Sequence, residues 1–441
     1  MAYAAETLGR FVADSRWEDM PPALRHEAKR SILNAVGCGL GVARDPAVTT
    51  ALAVMRPFSG APECTVLGQS AKLDPMAASF VNAIACNLLD YDDTHLNTVI
   101  HPTSPIAPAL LALAEQRGLP GAAVLHAFLL GGEVACRVGN AVSPGHYARG
   151  WHITSTCGAL GAAAGAAKLL GLTAEQTAHA IGIATSQAGG TVENLPSAAK
   201  NVSVGNAPRH GILSALLAQQ GYKAAPRSIE GPLGFARAMG DVPMVEEITG
   251  GLGERWEIAR NTYKPYPAGI VFHAVIDACL ALRAEAPAEA IDSVTVAGDA
   301  LLLARGDRAV NNERDARVSI HHSAALGFVR ASAGVADFEM PAVLDPVLSA
   351  FRARVTARLE PALPRGAATV TLRLKDGREL TRTVTDPIGS EANPMSDAAL
   401  EAKFRDNAAI GGVSARADEA IAGFWALDGA GSVGRLMESC G

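Results

Sequence analysis

The periodicity of the apolar residues changes near Pro267, and this change constrains the fold of the 441-residue chain more than any other feature. From the N-terminus to about residue 260, apolar residues recur at helical spacing between short Gly and Pro breaks, without convincing strand alternation. After Pro267, one predicted helix over 268–283 is followed by segments with period-2 alternation. The pattern predicts a mainly α protein with a smaller α+β domain.

Local signals mark several helices in the first part. Pro22 stands where a first helical turn tolerates proline, and Thr173 with Gln176 forms a capping-box pattern. A further helix is expected over 205–221. The chain has 44 glycines, whereas aromatic residues make up only 5%. This profile predicts close-packed helices with small residues at their contacts.

Alternating apolar and polar residues predict strands in the second part of the chain. The alternation covers residues 293–296, 351–359, 370–374 and 380–384. The last two segments flank Asp376-Gly377, a pair that is typical of a two-residue type I′ turn. They therefore predict a β-hairpin.

These patterns divide the chain into two domains. We expect a large all-helical domain formed by residues 1–266 and 391–441, and a smaller α+β domain formed by residues 267–390. The second helical segment contains Ser396, which can cap a helix over 397–407. Because this helical tail can rejoin the first part, the helical domain is expected to be discontinuous.

Composition and charge argue against several classes of protein. The formal net charge is −6 and the isoelectric point is near 6.0, which argues against nucleic acid as a partner. Seven scattered cysteines without a CxxC pattern indicate small core residues in a reducing compartment. Acidic residues near the N-terminus argue against a signal peptide, and Lys168 interrupts the apolar run 157–171. We therefore expect a cytoplasmic protein that does not enter a membrane.

The densest group of polar side chains follows a predicted apolar helix. Residues 90–95, Asp-Tyr-Asp-Asp-Thr-His, come directly after the apolar stretch 76–89, and another apolar run begins at residue 106. Polar residues between two buried helices tend to line a cavity. His101 precedes Pro102, and a residue before proline avoids the helical region, so His101 is predicted to lie on a loop.

Two other interpretations of this cluster stay open. Its three carboxylates and two histidines could bind a divalent metal ion, but the spacings HxxxH and HxxEH that are typical of such sites are absent. The cluster could also be only a structural turn. On the spacing argument we expect no metal.

A second polar group precedes a helix rich in small residues. Tyr147 and His152 lie in the segment 145–152, and a Gly/Ala-rich helix is predicted directly after it. A helix N-terminus presents free N–H groups, so this segment is a candidate anion-binding site. The alternative for His152 is an ordinary hydrogen-bonded histidine of the core.

Two lysines occupy otherwise uncharged neighbourhoods. Lys200 lies among small and polar residues, and Lys264 lies at the predicted domain junction. A lysine ammonium can neutralise a carboxylate so that the neighbouring proton is easier to remove, or can itself transfer a proton if desolvated. The alternative for each is a surface lysine whose stem covers apolar residues. Gly-rich segments such as 158–165 lack the phosphate-binding spacings, so no nucleotide cofactor is expected.

Several segments, taken together, identify a protein family more specifically than any single motif does. These segments are LLDYDDTHLNTVIHPTSPIAPALLALAE, GEVACRVG, HYARGWHITSTCGALGAAAGAAKLLGLTAEQTAHAIGIA, GILSALLAQQGY, IEGPLGF, KPYP and EANPMSDAALEAKF. They resemble the MmgE/PrpD family, in order, from about residue 30 to about residue 410. The resemblance implies a large helical domain with a smaller α+β lid domain, and a homodimer. No cofactor is expected, since the spacings of nucleotide and metal sites were not found.

The resemblance also implies an activity. Members of this family move or remove a proton next to a carboxylate of a small di- or tricarboxylic acid, as in decarboxylation of cis-aconitate or dehydration of methylcitrate. Epimerisation of an iminodisuccinate-like acid is the alternative. By resemblance to the decarboxylases, the positions that line the active site are Asp90, Thr94, His101, His152, Lys200 and Lys264. The stretch between Thr94 and His101 is longer than in the decarboxylases, which leaves the substrate open.

Four residues are predicted to be catalytic. These reactions share a need for a positioned acid or base beside the reacting carbon. His101 is the expected proton donor or acceptor, because histidine titrates near neutral pH. Asp90 would orient or charge a histidine, and Thr94 would add a hydrogen bond. Lys264 is also predicted to be catalytic. A lysine, in place of His101, remains the alternative proton carrier.

Three residues are predicted to bind the small polycarboxylate substrate. Lys200 and His152 are assigned, with Lys264, to the substrate carboxylates, and Tyr147 is a further binding residue. The rival hypothesis is a non-catalytic dimeric scaffold with a degenerate site. It is disfavoured because the polar positions implied by the resemblance are all occupied.

Overall fold

The computed structural model describes residues 3–195 and 197–441 and divides the chain into two compact units. The first unit comprises Met1–Asn261 and Ser396–Gly441, and the second comprises Thr262–Met395. The predicted domain boundaries, after residues 266 and 390, lie a few residues from these divisions. The protein is mainly helical with a smaller α+β part, so the predicted fold class is confirmed.

Helices make up most of the first unit. Before the second unit the chain forms α1 (Ala4–Asp14), α2 (Pro22–Gly41), α3 (Pro46–Met55), α4 (Pro75–Asn87), α5 (Ala107–Arg117), α6 (Gly121–Val142), α7 (Gly145–Ala148), α8 (Ile153–Leu169), α9 (Ala174–Thr185), α10 (Ala199–Gln219), α11 (Phe235–Met239) and α12 (Glu246–Thr249). The same stretch contains β1 (Cys64–Thr65), β2 (Lys72–Leu73) and β3 (Asp93–His95), and β4 (Asn261–Tyr263) follows. The sequence predicted no strand here, because strands of two or three residues are too short to show alternation.

Local signals explain where several helices begin. Thr173 caps α9 by accepting a hydrogen bond from the Gln176 N–H at 3.2 Å, and the Gln176 side chain accepts from the Thr173 N–H at 3.0 Å. The predicted capping box is confirmed. Helix α2 begins at Pro22, as predicted, because the N–H that proline lacks would have no partner in a first turn. Helix α10 begins at Ala199, earlier than predicted.

The second unit combines helices with a four-stranded sheet. In chain order it contains α13 (His273–Arg283), β5 (Ile291–Gly298), α14 (Ala300–Gly306), α15 (Glu313–Arg317), α16 (Ile320–Ala325), α17 (Met340–Val343), α18 (Pro346–Arg352), β6 (Val355–Leu359), β7 (Ala368–Leu374) and β8 (Glu379–Val384). The strand order is β6-β5-β7-β8, with only the β5–β6 pair parallel. Val294, Val370 and Leu372 are fully buried in the core of this unit.

Two predicted elements of the second unit begin later than expected. The helix predicted over 268–283 begins at His273, because Ile270–Phe272 form a 3-10 turn after Gly269. The strand predicted over 351–359 begins at Val355, because its first residues close helix α18.

The predicted hairpin is present as β7 and β8, but its turn is not of type I′. Of Asp376 and Gly377 only the glycine has a positive φ, 89°. The Gly377 N–H donates to Leu374 O at 2.9 Å, and the Leu374 N–H donates to Arg378 O at 2.8 Å. The connection is therefore a three-residue loop in which glycine takes the left-handed position.

After the second unit, the chain rejoins the first unit as α19 (Asp397–Gly411), α20 (Ala417–Trp425) and α21 (Gly434–Ser439). Ser396 caps α19 by accepting from the Ala399 N–H at 3.2 Å, which confirms the predicted cap. Helix α19 packs closely on α2. A Cβ on Gly411 would lie 1.9 Å from Leu40 O, and a Cβ on Gly37 would lie 2.8 Å from the Phe404 ring.

Small residues bring the central helices together in the same way. A Cβ on Gly131 of α6 would lie 2.6 Å from the carbonyl oxygen of Gly161 on α8. The prediction of close-packed helices with small contact residues is confirmed at these positions. Among the residues described by the structure, α6 is the one helix long and apolar enough to cross a membrane, and 89% of its apolar window is buried within the fold, as in a core helix.

We expect Gly411→Ala to destabilise the first unit. Alanine normally stabilises a helix by about 1 kcal/mol relative to glycine. Here, however, the added methyl group would collide with the backbone oxygen of Leu40, and such overpacking destabilises a fold by roughly 1–3 kcal/mol. The thermal unfolding midpoint should therefore fall. Gly429→Ala is the matched control, because a Cβ there meets no atom within 4 Å. Equal midpoints for the two variants would contradict the close packing of α2 and α19.

Candidate active site

A tight reversal of the chain brings His101 next to the acidic cluster. After α4 ends at Asn87, Asp90 adopts a left-handed conformation with a φ of 55°. The His95 N–H then donates to Ile100 O at 2.8 Å, which closes a short loop and returns the chain alongside β3. His101 lies on the loop that follows, as predicted, and its N–H donates to Thr154 Oγ1 on α8 at 3.1 Å.

The ring of His101 lies between carboxylates. Its Nδ1 is 2.6 Å from the backbone oxygen of Asp93, and a carbonyl oxygen can only accept, so Nδ1 carries a proton. Its Nε2 is 3.2 Å from Asp90 Oδ1, and Nδ1 is also 3.2 Å from Asp92 Oδ1. Nε2 is therefore the nitrogen whose protonation can change, and the two carboxylates favour the charged imidazolium.

Hydrogen bonds hold the two fully buried carboxylates in place. Asp92 Oδ2 accepts from Asn87 Nδ2 at 2.8 Å and from the Ser104 hydroxyl. Asp93 Oδ2 accepts from Asn261 Nδ2 at 2.6 Å and from the Thr103 hydroxyl. Burial, together with the neighbouring Asp92, raises the pKa of Asp93 to about 6.

Lys200 reaches the same cluster from helix α10. Its Nζ is 3.9 Å from Asp90 Oδ1 and donates to Asn87 O at 3.5 Å, and its side chain is 7% exposed. Asp90 thus contacts both His101 and Lys200, and with 36% of its side chain exposed it is the most open member of the group. Thr94 is buried beside them, with its Oγ1 3.4 Å from His101 Nδ1.

His152 immediately precedes α8 and is neutral. Its Nδ1 is 3.3 Å from Ser203 Oγ, and that hydroxyl donates to Lys200 O at 2.7 Å. Nδ1–H is therefore the donor to Ser203, which leaves Nε2 with a free lone pair. Burial, with smaller contributions from Lys200 and His101, lowers the pKa of His152 to about 3.

The two remaining predicted residues belong to other elements of the chain. Tyr147 belongs to α7, where it packs against an apolar cluster that includes Val142 and Phe235. Lys264 belongs to the second unit, directly after β4, and its side chain is buried. The roles assigned to both residues stay predictions.

The cluster contains donors that could hold a metal ion. One ligand atom each from Asp90, Asp92 and His101 lies within 4.8 Å of the others. However, Nδ1 of His101 already donates to a carbonyl oxygen and Nε2 faces Asp90, so a metal would have to displace the ion pair.

A GxGxxG spacing at residues 429–434 was overlooked in the sequence. This segment follows a 3-10 turn and not a strand, so it lacks the structural context of a dinucleotide-binding site.

Sequence reasoning missed several residues that support the site. Asp92 belongs to the predicted cluster but was given no role, and Asn87 lies one turn before Asp90 without a distinguishing signal. Lys403 on α19 donates to Tyr91 O at 2.6 Å. A signal for this lysine exists, because the apolar residues Leu400, Phe404 and Ala408 repeat at helical spacing and place it beside a buried face.

Comparison with known proteins gives two family matches. The MmgE/PrpD N-terminal domain matches residues 6–247, and the MmgE/PrpD C-terminal domain matches residues 266–427. Cis-aconitate decarboxylase-like protein oryM of Aspergillus oryzae is 31% identical over 288 residues, which span 62% of this chain and only 58% of that relative. Cis-aconitate decarboxylase of Homo sapiens is 29% identical over 404 residues, 86% of this chain and 82% of the relative. 2-Methylcitrate dehydratase of Cupriavidus necator is 25% identical over 433 residues, 87% and 85% of the two chains.

We expect the imidazole of His152 to stay uncharged in the folded protein from about pH 8 down to about pH 5, because its pKa is lowered to about 3. Below about pH 6.5 the unfolded chain takes up this proton and the folded chain does not. His152 therefore lowers the folding stability as the pH falls from about 6.5 towards 3, by up to about 1.4 kcal/mol per pH unit. The charge state of His152 can be measured by NMR titration of the protein with ¹³Cε1-labelled histidine. The signal of His152 is identified by its loss in the His152→Gln variant. A folded-state titration near pH 6.5 would contradict the neutral assignment.

Proposed function

The chain belongs to the MmgE/PrpD family, and from that premise we propose that it is a lyase that moves a proton next to a carboxylate of a small di- or tricarboxylic acid. Relatives named cis-aconitate decarboxylase and 2-methylcitrate dehydratase support a lyase and these two substrate classes. The observation that carries the proposal is the tautomer of His101. Its Nδ1 proton is held by the Asp93 carbonyl, which leaves Nε2 as a defined proton carrier beside Asp90, and Asp90 also pairs with Lys200.

The proton at His101 Nε2 serves either reaction. In decarboxylation, the bond to the departing carboxyl group breaks, carbon dioxide leaves, and the electron pair left on carbon takes the Nε2 proton. In dehydration, a base removes a proton from the carbon beside a carboxylate, and an acid protonates the departing hydroxyl group as water. Both reactions place negative charge on a carbon next to a carboxylate, and a nearby cation stabilises that charge.

Other residues of the first unit supply binding and orientation. Lys200 is the cation for a substrate carboxylate, since its buried ammonium lies beside Asp90, which also contacts the proton carrier. His152 is neutral, so it contributes a lone pair at Nε2 that accepts a hydrogen bond from a hydroxyl or an acid proton, and it does not hold a carboxylate as a cation. Thr94 supports the His101 ring.

We expect the protein to convert cis-aconitate, citrate or 2-methylcitrate in deuterated water, with NMR reporting product and deuterium at the carbon beside the carboxylate. His101→Gln should lower kcat roughly 100- to 10,000-fold with a smaller change in KM, because it removes the proton carrier. Lys200→Met should mainly weaken binding, by about 2–5 kcal/mol, because a substrate carboxylate loses its buried partner.

A matched control is His321→Gln in the second unit, where His321 Nε2 pairs with Asp307 Oδ1 at 2.9 Å. It removes a histidine–aspartate pair and should leave turnover unchanged. If His101→Gln exchanges deuterium as fast as the parent while Lys200→Met does not exchange at saturating substrate, a lysine carries the proton. Deuterium in recovered substrate together with formation of its epimer, and without a decarboxylated or dehydrated product, would indicate an epimerase. No reaction and no thermal stabilisation by any of the acids would favour a scaffold.

We further propose that the reaction needs no metal. Both ring nitrogens of His101 are engaged within the protein, and Lys200 supplies the positive charge that a metal would otherwise provide. Activity should therefore survive exhaustive treatment with a chelator, measured as product formation before and after dialysis. Activity that is lost on chelation and restored by one divalent ion would assign Asp90, Asp92 and His101 to metal binding instead.

A further inference from the structure

A buried lysine of the C-terminal segment holds the residue at the centre of the acidic cluster. Lys403 on α19 is 6% exposed, and its Nζ donates to Tyr91 O at 2.6 Å and to Asn34 Oδ1 at 2.8 Å. The same ammonium lies 3.7 Å from the centre of the Tyr91 ring. One cation thus contacts both the backbone and the side chain of Tyr91.

Tyr91 separates the two carboxylates that face His101. Asp90 precedes it and contacts Nε2, and Asp92 follows it and contacts Nδ1. The oxygen bound by Lys403 belongs to the peptide that joins Tyr91 to Asp92, so the lysine fixes the orientation of that peptide plane. Asp90 has a left-handed φ of 55°, a conformation that is uncommon for residues other than glycine but that aspartate adopts more readily than most, and it turns the chain at this point.

The position of the lysine follows from how α19 packs on α2. Gly37 and Gly41 of α2 leave room for Phe404 and Asn407, which flank Lys403 on the buried face of α19. At the start of α19, Asp397 forms an ion pair with Arg30 of α2. Helix α19 is therefore held close enough for the lysine side chain to reach Tyr91.

We infer that Lys403 is a positioning residue of the proposed active site, which sets the Asp90–Asp92 segment against His101. The inference rests on the proposed function for its catalytic consequence, but the geometry is independent of it. A buried ammonium is costly unless it is fully hydrogen-bonded, and an apolar residue could fill the same space between two helices. The contacts of Lys403 place that charge where the acidic segment turns.

The test compares Lys403→Met and Lys403→Arg with the parent protein. Lys403→Met should lower kcat by roughly 10- to 100-fold, because small displacements of a catalytic group have effects of this size, while KM changes less than about threefold. Lys403→Arg should restore part of kcat. The ¹³Cε1 signal of His101, identified by its loss in His101→Gln, should shift in Lys403→Met.

Lys168→Met is the matched control, because Lys168 also binds two backbone oxygens, those of Ala13 and Ser15, at 2.9 and 2.6 Å. It should change neither kcat nor the His101 signal. A folded Lys403→Met protein with an unchanged His101 signal overturns the inference. If Lys403→Met does not fold, the same signal is read in Lys403→Gln, and an unchanged signal there has the same meaning. A parent protein that converts none of the acids refutes the proposed function, while the His101 signal still decides the role of Lys403.

Discussion

The hydrogen bond between His101 Nδ1 and the carbonyl oxygen of Asp93 is the contact on which the candidate site depends. It holds the Nδ1 proton and directs Nε2 towards Asp90, which also pairs with Lys200. Burying so many charges is unfavourable in isolation, and it is tolerated because each charged group has hydrogen-bond or ion-pair partners. The short loop closed by His95 and Ile100 makes the contact possible, since it brings residues eight apart in sequence side by side.

The environment of the two histidines separates their charge states. His101 lies against carboxylates, which favour the imidazolium, whereas His152 is buried near Lys200 and stays neutral. Groups whose surroundings drive their protonation in opposite directions are suited to act as an acid and a base at the same pH. The chemical asymmetry of the site therefore arises from burial and neighbours, not from residue type.

Local sequence signals predicted those structural features that depend on residues close together in the sequence. Period-2 alternation located the β7–β8 hairpin, the Thr173 capping box located the start of α9, and proline placed His101 on a loop. The turn type and the start of β6 were wrong, because both depend on how neighbouring elements meet. The partners of Asp92, and the contact of Lys403 with Tyr91 across 312 residues, depend on tertiary packing that no local pattern specifies.

The return of α19 to the first unit has a consequence for biosynthesis. Residues 34 and 91 emerge from the ribosome long before Lys403, which contacts them from 369 and 312 positions later in the chain. During translation the face of α2 that α19 covers is exposed to solvent while the whole second unit is made. Contacts of such high sequence separation form late and slowly. The nascent chain must therefore stay soluble with an incomplete first unit until α19 is released.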